Sequence, residues 1–345
     1  MLTTGRDVKY LCSDLASYCR AQSSSASSSP LHATKPAAEI HMPRGIRLAD
    51  ARTLSYAEYG SPSGDPVLFL HGFPASQKEA ALWHDAARRH SVRIIAPDRP
   101  GIGLSSYQPG RRFLDWPADV VQLTQHLGIA SCHVLATAGG SPYALACLRA
   151  FDSGNGAMSG RQLSIKGTAI VSGIYPSSLG ASRVQLSTRI ALWIVGHIWF
   201  LLVPLLEWFM GKPARRDPEL FKSRIMREAD SRPLVDKKCL ANPAFGAGFV
   251  ESARHAFAGG ARGVAYEAGL MGRAWCFDLD VIDGSRVFLF QGGFDEACPA
   301  DMARKAHAKL AGSVLKVYEY EGHLSLLARR QDEVLDALLS NFKIS

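Results

Sequence analysis

Five short apolar runs along the chain each end in a turn rich in glycine or proline. They are PVLFLHG at 66–72, RIIAPDRPG at 93–101, HVLATAGG at 133–140, GTAIVSG at 167–173 and RVFLFQGG at 286–293. A continuous apolar run of this length is typical of a strand that is buried on both faces. Helical patterns lie between the runs, for example EAALWHDAARRH at 79–90. Because alternating strands and helices build helix-covered parallel sheets, the sequence predicts an α/β fold with a doubly wound, mostly parallel sheet.

Composition narrows the classes of function. The chain has 345 residues, 47% of them hydrophobic, which is ordinary for a globular protein with a sizeable core. Its formal net charge of +8 is spread along the chain without a basic block, so we expect no nucleic-acid partner. The seven cysteines form no CxxC pair and no His/Cys metal spacing. The sequence therefore predicts reduced thiols in an intracellular compartment, with neither a metal nor a cofactor.

The first 45 residues differ from the rest of the chain. The serine run AQSSSASSSP at 21–30 cannot bury enough apolar surface to order itself, which predicts a disordered, low-complexity tail at 1–45. Apolar residues at helical spacing before this run lie beside Arg6, Lys9 and Arg20, a slight likeness to an organelle-targeting segment. Asp7 and Asp14 count against targeting, so a cytoplasmic location is expected.

One segment approaches the length of a membrane span. IALWIVGHIWFLLVPLL at 190–206 is almost entirely apolar, but Gly196, His197 and Pro204 interrupt it. The sequence predicts two short buried helices that break near Pro204, and no membrane span. The segment and the residues just after it contain five aromatic residues, Trp193, Trp199, Phe200, Trp208 and Phe209. We expect most of these side chains to pack on the domain and a few to line an apolar pocket.

Residues capable of acid–base chemistry follow the ends of three predicted strands. These strands are the first and last of the apolar runs above and a later one in VLKVYEYEGH at 314–323. The turn that begins His71-Gly72 can aim a backbone N–H into a cleft, Asp295 lies in GGFDEACP, and His323 lies in EGHLSL. Taken singly, Asp295 could cap the helix that begins near Pro299, and His323 could be an ordinary loop residue. Their order and shared position at the carboxyl ends of strands favour a hydrogen-bonded acid–imidazole dyad.

These motifs together resemble those of the α/β-hydrolase superfamily, from about residue 46 to the C-terminus. The matching motifs are LFLHGFP, APDRPGIGLS, GGFDEACP and EGHLSL, in the order of the family's oxyanion, fourth-strand, acid and histidine loops. Segment 183–278 resembles the helical cap of a bacterial and fungal subgroup, through ARRDPELF and GARGVAYEAGLMGRAWCFDL. The resemblance implies a core at 46–182 and 279–345 with an inserted cap at 183–278.

The same resemblance leaves one catalytic position without its expected residue. LATAGGSPY aligns with the family's G-x-S-G-G-G-P-Y strand-to-helix elbow, so Ala138 stands where the nucleophilic serine belongs. A methyl group cannot form an acyl-enzyme. The resemblance still implies an oxyanion and substrate-binding pocket from Gly72, Phe73 and Gly139, with backbone N–H donors on the last two.

Neighbouring hydroxyl and thiol groups are expected to serve structure. Thr137 precedes the elbow and should face away from the cleft, because adjacent strand residues point to opposite sides. Ser141 lies in the first turn of the following helix and Cys147 deeper in it, positions that favour packing.

Three explanations of Ala138 remain open from the sequence. In the first, the protein is an enzyme in which His323 and Asp295 act as a general base and the oxyanion pocket stabilises negative charge. Its substrate would be an ester, a lactone or a polyketide-like compound, and its reaction would be hydrolysis or lyase, cyclase or oxygenase chemistry. In the second, it is a non-catalytic ligand-binding pseudo-hydrolase. In the third, Ala138 is an engineered replacement of serine in an ordinary serine esterase. We favour the first, with a small or medium apolar carbonyl compound as substrate; the sequence predicts no oligomeric state.

Overall fold

The computed structural model describes residues 43–151, 163–179 and 186–340, and the side chains of all of these except 186–195. Most of the predicted tail lies outside the described residues. The first strand, Arg44–Arg47, begins two residues before the predicted end of that tail.

The described residues build one eight-stranded sheet. Its strands are β1 Arg44–Arg47, β2 Thr53–Gly60, β3 Asp65–Leu70, β4 Val92–Pro97, β5 Ser131–Thr137, β6 Ser164–Val171, β7 Val287–Gly292 and β8 Val314–Tyr318. Their order across the sheet is β1-β2-β4-β3-β5-β6-β7-β8. Strand β2 pairs antiparallel with β1 and β4, and all other neighbours are parallel. The predicted doubly wound, mostly parallel sheet is confirmed.

The apolar runs form central strands because helices cover both faces of the sheet. The α-helices are α1 His84–Arg89, α2 Trp116–His126, α3 Ser141–Phe151, α4 Leu186–Leu206, α5 Lys212–Arg216, α6 Pro218–Ala229, α7 Leu234–Leu240, α8 Pro243–Ala256, α9 Ala261–Met271, α10 Ala300–Lys309, α11 His323–Arg329 and α12 Gln331–Leu339. On β3, Leu68 and Leu70 join the core beneath α2 and α3, whereas Val67 and Phe69 join the core beneath α1 and α12. Each such fully buried side chain stabilises the fold by roughly 1.5–3 kcal/mol.

Helix α4 corrects the prediction of a break at Pro204. The helix runs through Pro204, and its non-helical residue is Ile198, with φ −117° and ψ 24°. The cause lies in a neighbouring side chain: Arg273 Nε donates to the carbonyl oxygen of Gly196, which the helical ladder would otherwise use. None of the helices in the described residues is both long and apolar enough to cross a bilayer.

The prediction that the aromatic residues of this region pack on the domain was wrong for most of them. Trp199 does pack, edge-on against Tyr266 of α9 with ring centroids 4.8 Å apart. Phe200, Trp208 and Phe209 are exposed instead. Trp199 lies on the face of α4 that meets α9, and within the described ranges no apolar surface covers the other face. The side chain of Trp193 lies outside the described residues.

A buried charge cluster ties α9 to the strand ends. Glu267 of α9 accepts from Arg99 at 2.8 Å, Arg111 at 2.7 Å and the Tyr143 hydroxyl at 2.6 Å. Burial alone would raise the pKa of Glu267. The two guanidinium groups lower this pKa by a larger amount, so that it lies at about 2. Arg99 also donates to the carbonyl oxygens of the loop after β3, so one charged group positions both the helix and the loop.

We expect Glu267→Gln to lower the free energy of unfolding by about 3–5 kcal/mol, because it leaves two buried guanidinium groups without a counter-charge. The stabilisation from Glu267 is present above its ordinary pKa of 4.5 and is lost as the pH falls toward 2, so the variant should lack this part of acid unfolding. Urea titrations at several pH values measure both effects. Glu251→Gln removes a half-exposed partner of Lys78 and should cost less than about 1 kcal/mol. An equal effect of the two substitutions would contradict the structural role of Glu267.

Candidate active site

The elbow between β5 and α3 is a strained turn that only small residues can form. Ala138–Gly140 make a single 3-10 turn, and Ala138 has a φ of 40°, a left-handed conformation that costs a residue with a Cβ about 1–2 kcal/mol. A Cβ on Gly139 would lie 2.6 Å from the Phe73 Cβ, and one on Gly140 would lie 2.1 Å from the carbonyl oxygen of Leu70. The elbow therefore packs directly on the loop that follows β3.

That loop brings the predicted oxyanion residues together. The backbone nitrogen of Phe73 lies 3.3 Å from where a Cβ on Gly139 would sit. Gly72, one residue earlier, donates its N–H to the Glu79 Oε2 at 2.6 Å. Gly72 therefore contributes to the wall of the cavity, but its N–H is already used.

The structure brings His323 and Asp295 into direct contact. The His323 Nδ1 lies 2.8 Å from the Asp295 Oδ2. Asp295 is buried, and it also accepts from the Cys298 backbone N–H at 2.7 Å and from the Gln291 side chain at 3.0 Å. The predicted contact between the acid and the imidazole is therefore present. The alternative, in which Asp295 caps the helix that begins near Pro299, is not found: α10 begins at Ala300 without a side-chain cap, and Asp295 accepts from Cys298 instead.

The environment of His323 changes its proton affinity. Burial lowers the pKa of the imidazole, but the charge of Asp295 and the hydrogen bond to it raise that pKa well above its ordinary value of 6.5. The imidazole of His323 is therefore a stronger base than that of a free histidine, and it becomes neutral only at higher pH.

Residues of a preceding helix hold the histidine in place. His323 is the first residue of α11, and its backbone N–H donates to the Asp236 Oδ2 at 3.0 Å. The other oxygen of Asp236 accepts from the N–H groups of Leu324 and Ser325 at 3.0 and 2.9 Å. Asp236 of α7 thus caps the N-terminus of α11 although it is distant in sequence. Capping patterns in a sequence involve neighbouring residues, so they could not indicate this role.

His323, Ala138 of the elbow and the loop after β3 line one cavity of about 240 Å³. The cavity contacts Ala138, Phe73, Glu79 and His323. Most of its remaining wall is apolar, from Leu82, Ile174, Ile225, Phe245, Phe249, Ala253, Leu324 and Leu327. Its volume is below the roughly 300–1,000 Å³ of typical ligand sites, so it suits a small substrate.

Glu79 is a buried carboxyl group that the sequence analysis did not identify. It lines the cavity, accepts the Gly72 N–H and interacts with the hydroxyl of Thr137. Burial raises the pKa of Glu79, and the hydrogen bonds from Gly72 and Thr137 oppose this effect. An acidic residue on the buried side of the otherwise apolar EAALW was the available signal.

The hydroxyl groups beside the elbow are committed to structure. The Ser141 Oγ donates to the Ala138 carbonyl at 2.9 Å and also contacts the carbonyl of Ile174. Thr137 and Ser141 are fully buried, and neither lines the cavity. The preference for packing roles at these positions agrees with these contacts.

A thiol completes a possible ligand set beside the dyad. Asp295, Cys298 and His323 each offer one atom, and these atoms lie within 4.8 Å of one another. Such donors can bind zinc. The Asp295–His323 hydrogen bond, however, needs a proton between its two atoms, and this proton would have to leave before both atoms could bind an ion. The hydrogen bond accounts for the pairing without a metal.

The comparison with known proteins agrees with this geometry. The sequence model of the Alpha/beta hydrolase family matches residues 67–337. The chain belongs to this family. The resemblance of its four loop motifs to the superfamily is thereby confirmed.

Curated proteins and solved structures also resemble the chain. The chain is 34% identical over 93 residues to the uncharacterized hydrolase YcgS of Bacillus subtilis, covering 27% of this chain and 32% of that protein. It is 33% identical over 108 residues to a proline iminopeptidase of Xanthomonas citri, covering 29% and 33%. The matched segments thus span about a third of each relative. The esterase EaEST from Exiguobacterium antarcticum shares the fold with a TM-score of 0.58 and 20% identity, over 87% of this chain and 98% of that one.

We expect Glu79 to position the loop after β3 as a hydrogen-bond acceptor for the Gly72 N–H. Glu79→Gln keeps an acceptor for the Gly72 N–H and should change kcat/KM for a hydrolysed ester by less than about threefold. Glu79→Leu leaves that N–H buried and unpaired, which should lower the free energy of unfolding by about 1–3 kcal/mol and reduce kcat/KM. Turnover abolished by Glu79→Gln alone would show that Glu79 transfers a proton and would contradict this role.

Proposed function

We propose that the protein hydrolyses small apolar esters or lactones by general-base attack of water, without a covalent intermediate. The observation that carries the proposal is the His323–Asp295 dyad, which opens into the same cavity as the methyl group of Ala138. The cavity combines the His323 imidazole, the proposed oxyanion residue Phe73 and an apolar wall, and the side chain at the elbow has no nucleophilic atom.

In the proposed step, His323 removes a proton from a water molecule in the cavity. The water oxygen attacks the carbonyl carbon of the substrate, and the carbonyl π electrons move to oxygen. When the tetrahedral intermediate collapses, the imidazolium returns the proton to the leaving alcohol. Asp295 keeps the imidazole oriented through Nδ1 and stabilises its charged form.

The developing oxyanion would be held by the backbone N–H groups of Phe73 and Gly139. The close packing of the elbow against the loop supports this role, because it places the two segments side by side. Glu79 takes the Gly72 N–H, and Arg99 takes the carbonyl oxygens of His71 and Gly72, so this loop is fixed before substrate arrives. Fixed donors of this kind stabilise charge without reorganisation.

The cavity supports a small, apolar acyl group. Its apolar wall combines residues of the core with Ile225, Phe245 and Phe249 of α6 and α8. A polar pair, Glu228 and Arg232, also contributes to the cavity, with its charged groups 3.1 Å apart. We therefore propose a carbonyl compound whose apolar part fills the cavity.

The test is steady-state hydrolysis of a series of short-chain p-nitrophenyl esters and lactones by the wild type and by His323→Ala. We expect the substitution to lower kcat/KM by roughly 10²–10⁴-fold, because it removes the general base. His126→Ala, on the exposed face of α2, is the matched control and should leave the rate unchanged. Binding of these compounds with no turnover by the wild type would overturn the proposal and favour a ligand-binding protein.

The pH dependence gives a second test. Only neutral imidazole can accept a proton, so kcat/KM should rise with pH through a pKa above 6.5. Asp295→Asn removes the carboxylate charge that raises this pKa, so the acid limb should move to lower pH while the rate falls by roughly 10³–10⁴-fold. Asp301→Asn, which removes the partner of Lys305 on α10, should change neither. An acid limb that stays in place in Asp295→Asn would contradict the role of the dyad.

A further inference from the structure

A surface of the cap region carries large apolar side chains that none of the described residues covers. These residues, the apolar face, are Phe200 (54% exposed), Leu201 (58%), Leu205 (52%), Trp208 (64%) and Phe209 (49%). They lie on the second half of α4 and on the π-helical turn Glu207–Gly211 that follows it. Single exposed apolar residues are common on proteins, but a contiguous group of this size marks a site of interaction.

The apolar face is one side of a helix whose other side is fixed. Leu201, Leu205, Trp208 and Phe209 follow the spacing i, i+4, i+7 and i+8, which places them on one stripe. On the opposite side, α4 packs closely on α9: a Cβ on Gly196 would lie 2.7 Å from the carbonyl oxygen of Gly272. The exposed stripe is therefore held outward by the packing of the remainder of the helix.

Cations border this face. The Lys212 Nζ lies 4.7 Å from the ring centroid of Trp208, and the guanidinium carbon of Arg224 lies 5.5 Å from that of Phe209. Arg216 is exposed nearby along the chain, on α5. Among the described residues, none of these three cations forms an ion pair with a carboxylate, whereas the neighbouring Glu207 is paired with Arg215. The border of the apolar face is therefore positively charged.

We propose that the apolar face docks the protein onto the surface of a bilayer that contains anionic phospholipids. Trp and Phe side chains enter the boundary between headgroups and acyl chains, while Lys and Arg remain at the level of the phosphates. The side chains of the apolar face and its bordering cations supply both kinds of contact on one surface. The proposal does not depend on the reaction proposed above.

The arrangement of charges favours a bilayer over a second copy of the chain. A symmetric dimer would bury the same patch from both subunits and bring like-charged borders together. Such like-charge contacts disfavour association, whereas an anionic membrane surface attracts every bordering cation.

The proposed docking is peripheral and reversible. The apolar stripe occupies one side of the helix only, so it fits insertion at the depth of the headgroup boundary. Because part of the attraction is between charges in water, binding should weaken as salt is added.

The experiment is flotation of the full-length protein with vesicles of phosphatidylcholine mixed with phosphatidylserine, and with vesicles of phosphatidylcholine alone. Trp208→Ser combined with Phe209→Ser removes part of the apolar face, and Lys212→Gln combined with Arg216→Gln removes two bordering cations. The matched control, Leu234→Ser combined with Val281→Ser, removes two exposed apolar side chains from α7 and from the turn Leu279–Val281. Thermal melts establish that all variants are folded.

We expect the wild type to float with the mixed vesicles and to be released by salt. The apolar variant should bind about tenfold more weakly or worse, since each ring contributes buried apolar area. The cation variant should bind the mixed vesicles about 25-fold more weakly, about fivefold for each cation, and should change little on phosphatidylcholine alone. The control should float as the wild type does.

Two results would overturn the proposal. One is that the wild-type protein does not float with the mixed vesicles, or that the apolar variant floats with them as well as the wild type does. The other is a dimer in sedimentation velocity that Trp208→Ser with Phe209→Ser converts to a monomer, without vesicle binding, which would assign the apolar face to a second copy of the chain.

Discussion

The geometry at the carboxyl ends of the strands depends on one buried carboxylate. Glu267 forms ion pairs with both Arg99 and Arg111 in the interior, and Arg99 in turn donates to the carbonyl oxygens of His71 and Gly72. Paired in this way, the charges are tolerated, but the loss of one member leaves a buried charge without compensation. The position of α9 and the shape of the loop after β3 are therefore set by the same interaction.

This constraint explains how the elbow keeps its form without a nucleophile. Ala138 keeps a left-handed conformation, and the end of β3 and the loop after it pack against the turn at Gly139 and Gly140. Asp236 fixes the start of α11 independently, and with it the position of His323. The base and the backbone donors are thus held by interactions that do not involve the side chain of residue 138.

The sequence allowed the sheet and the central dyad to be predicted, because both follow from local patterns. Apolar runs identify strands, and Asp295 and His323 come directly after two of them. Asp236 and Glu267 were missed for a physical reason, because they act on partners that the fold, and not the sequence, brings close. Glu267 lies 168 positions from Arg99 and Asp236 lies 87 from His323. The exposure of Phe200, Trp208 and Phe209 was likewise decided by which face of α4 meets α9, which their composition does not indicate.

The central claim is that the elbow retains the geometry of the site and lacks only the nucleophilic atom. Intact-mass spectrometry after treatment with a fluorophosphonate tests it most directly, on the wild type and on Ala138→Ser. We expect no adduct on the wild type and a single adduct on Ala138→Ser. The double variant Ala138→Ser with His323→Ala should form no adduct. An adduct on the wild type, or none on folded Ala138→Ser, would contradict the central claim.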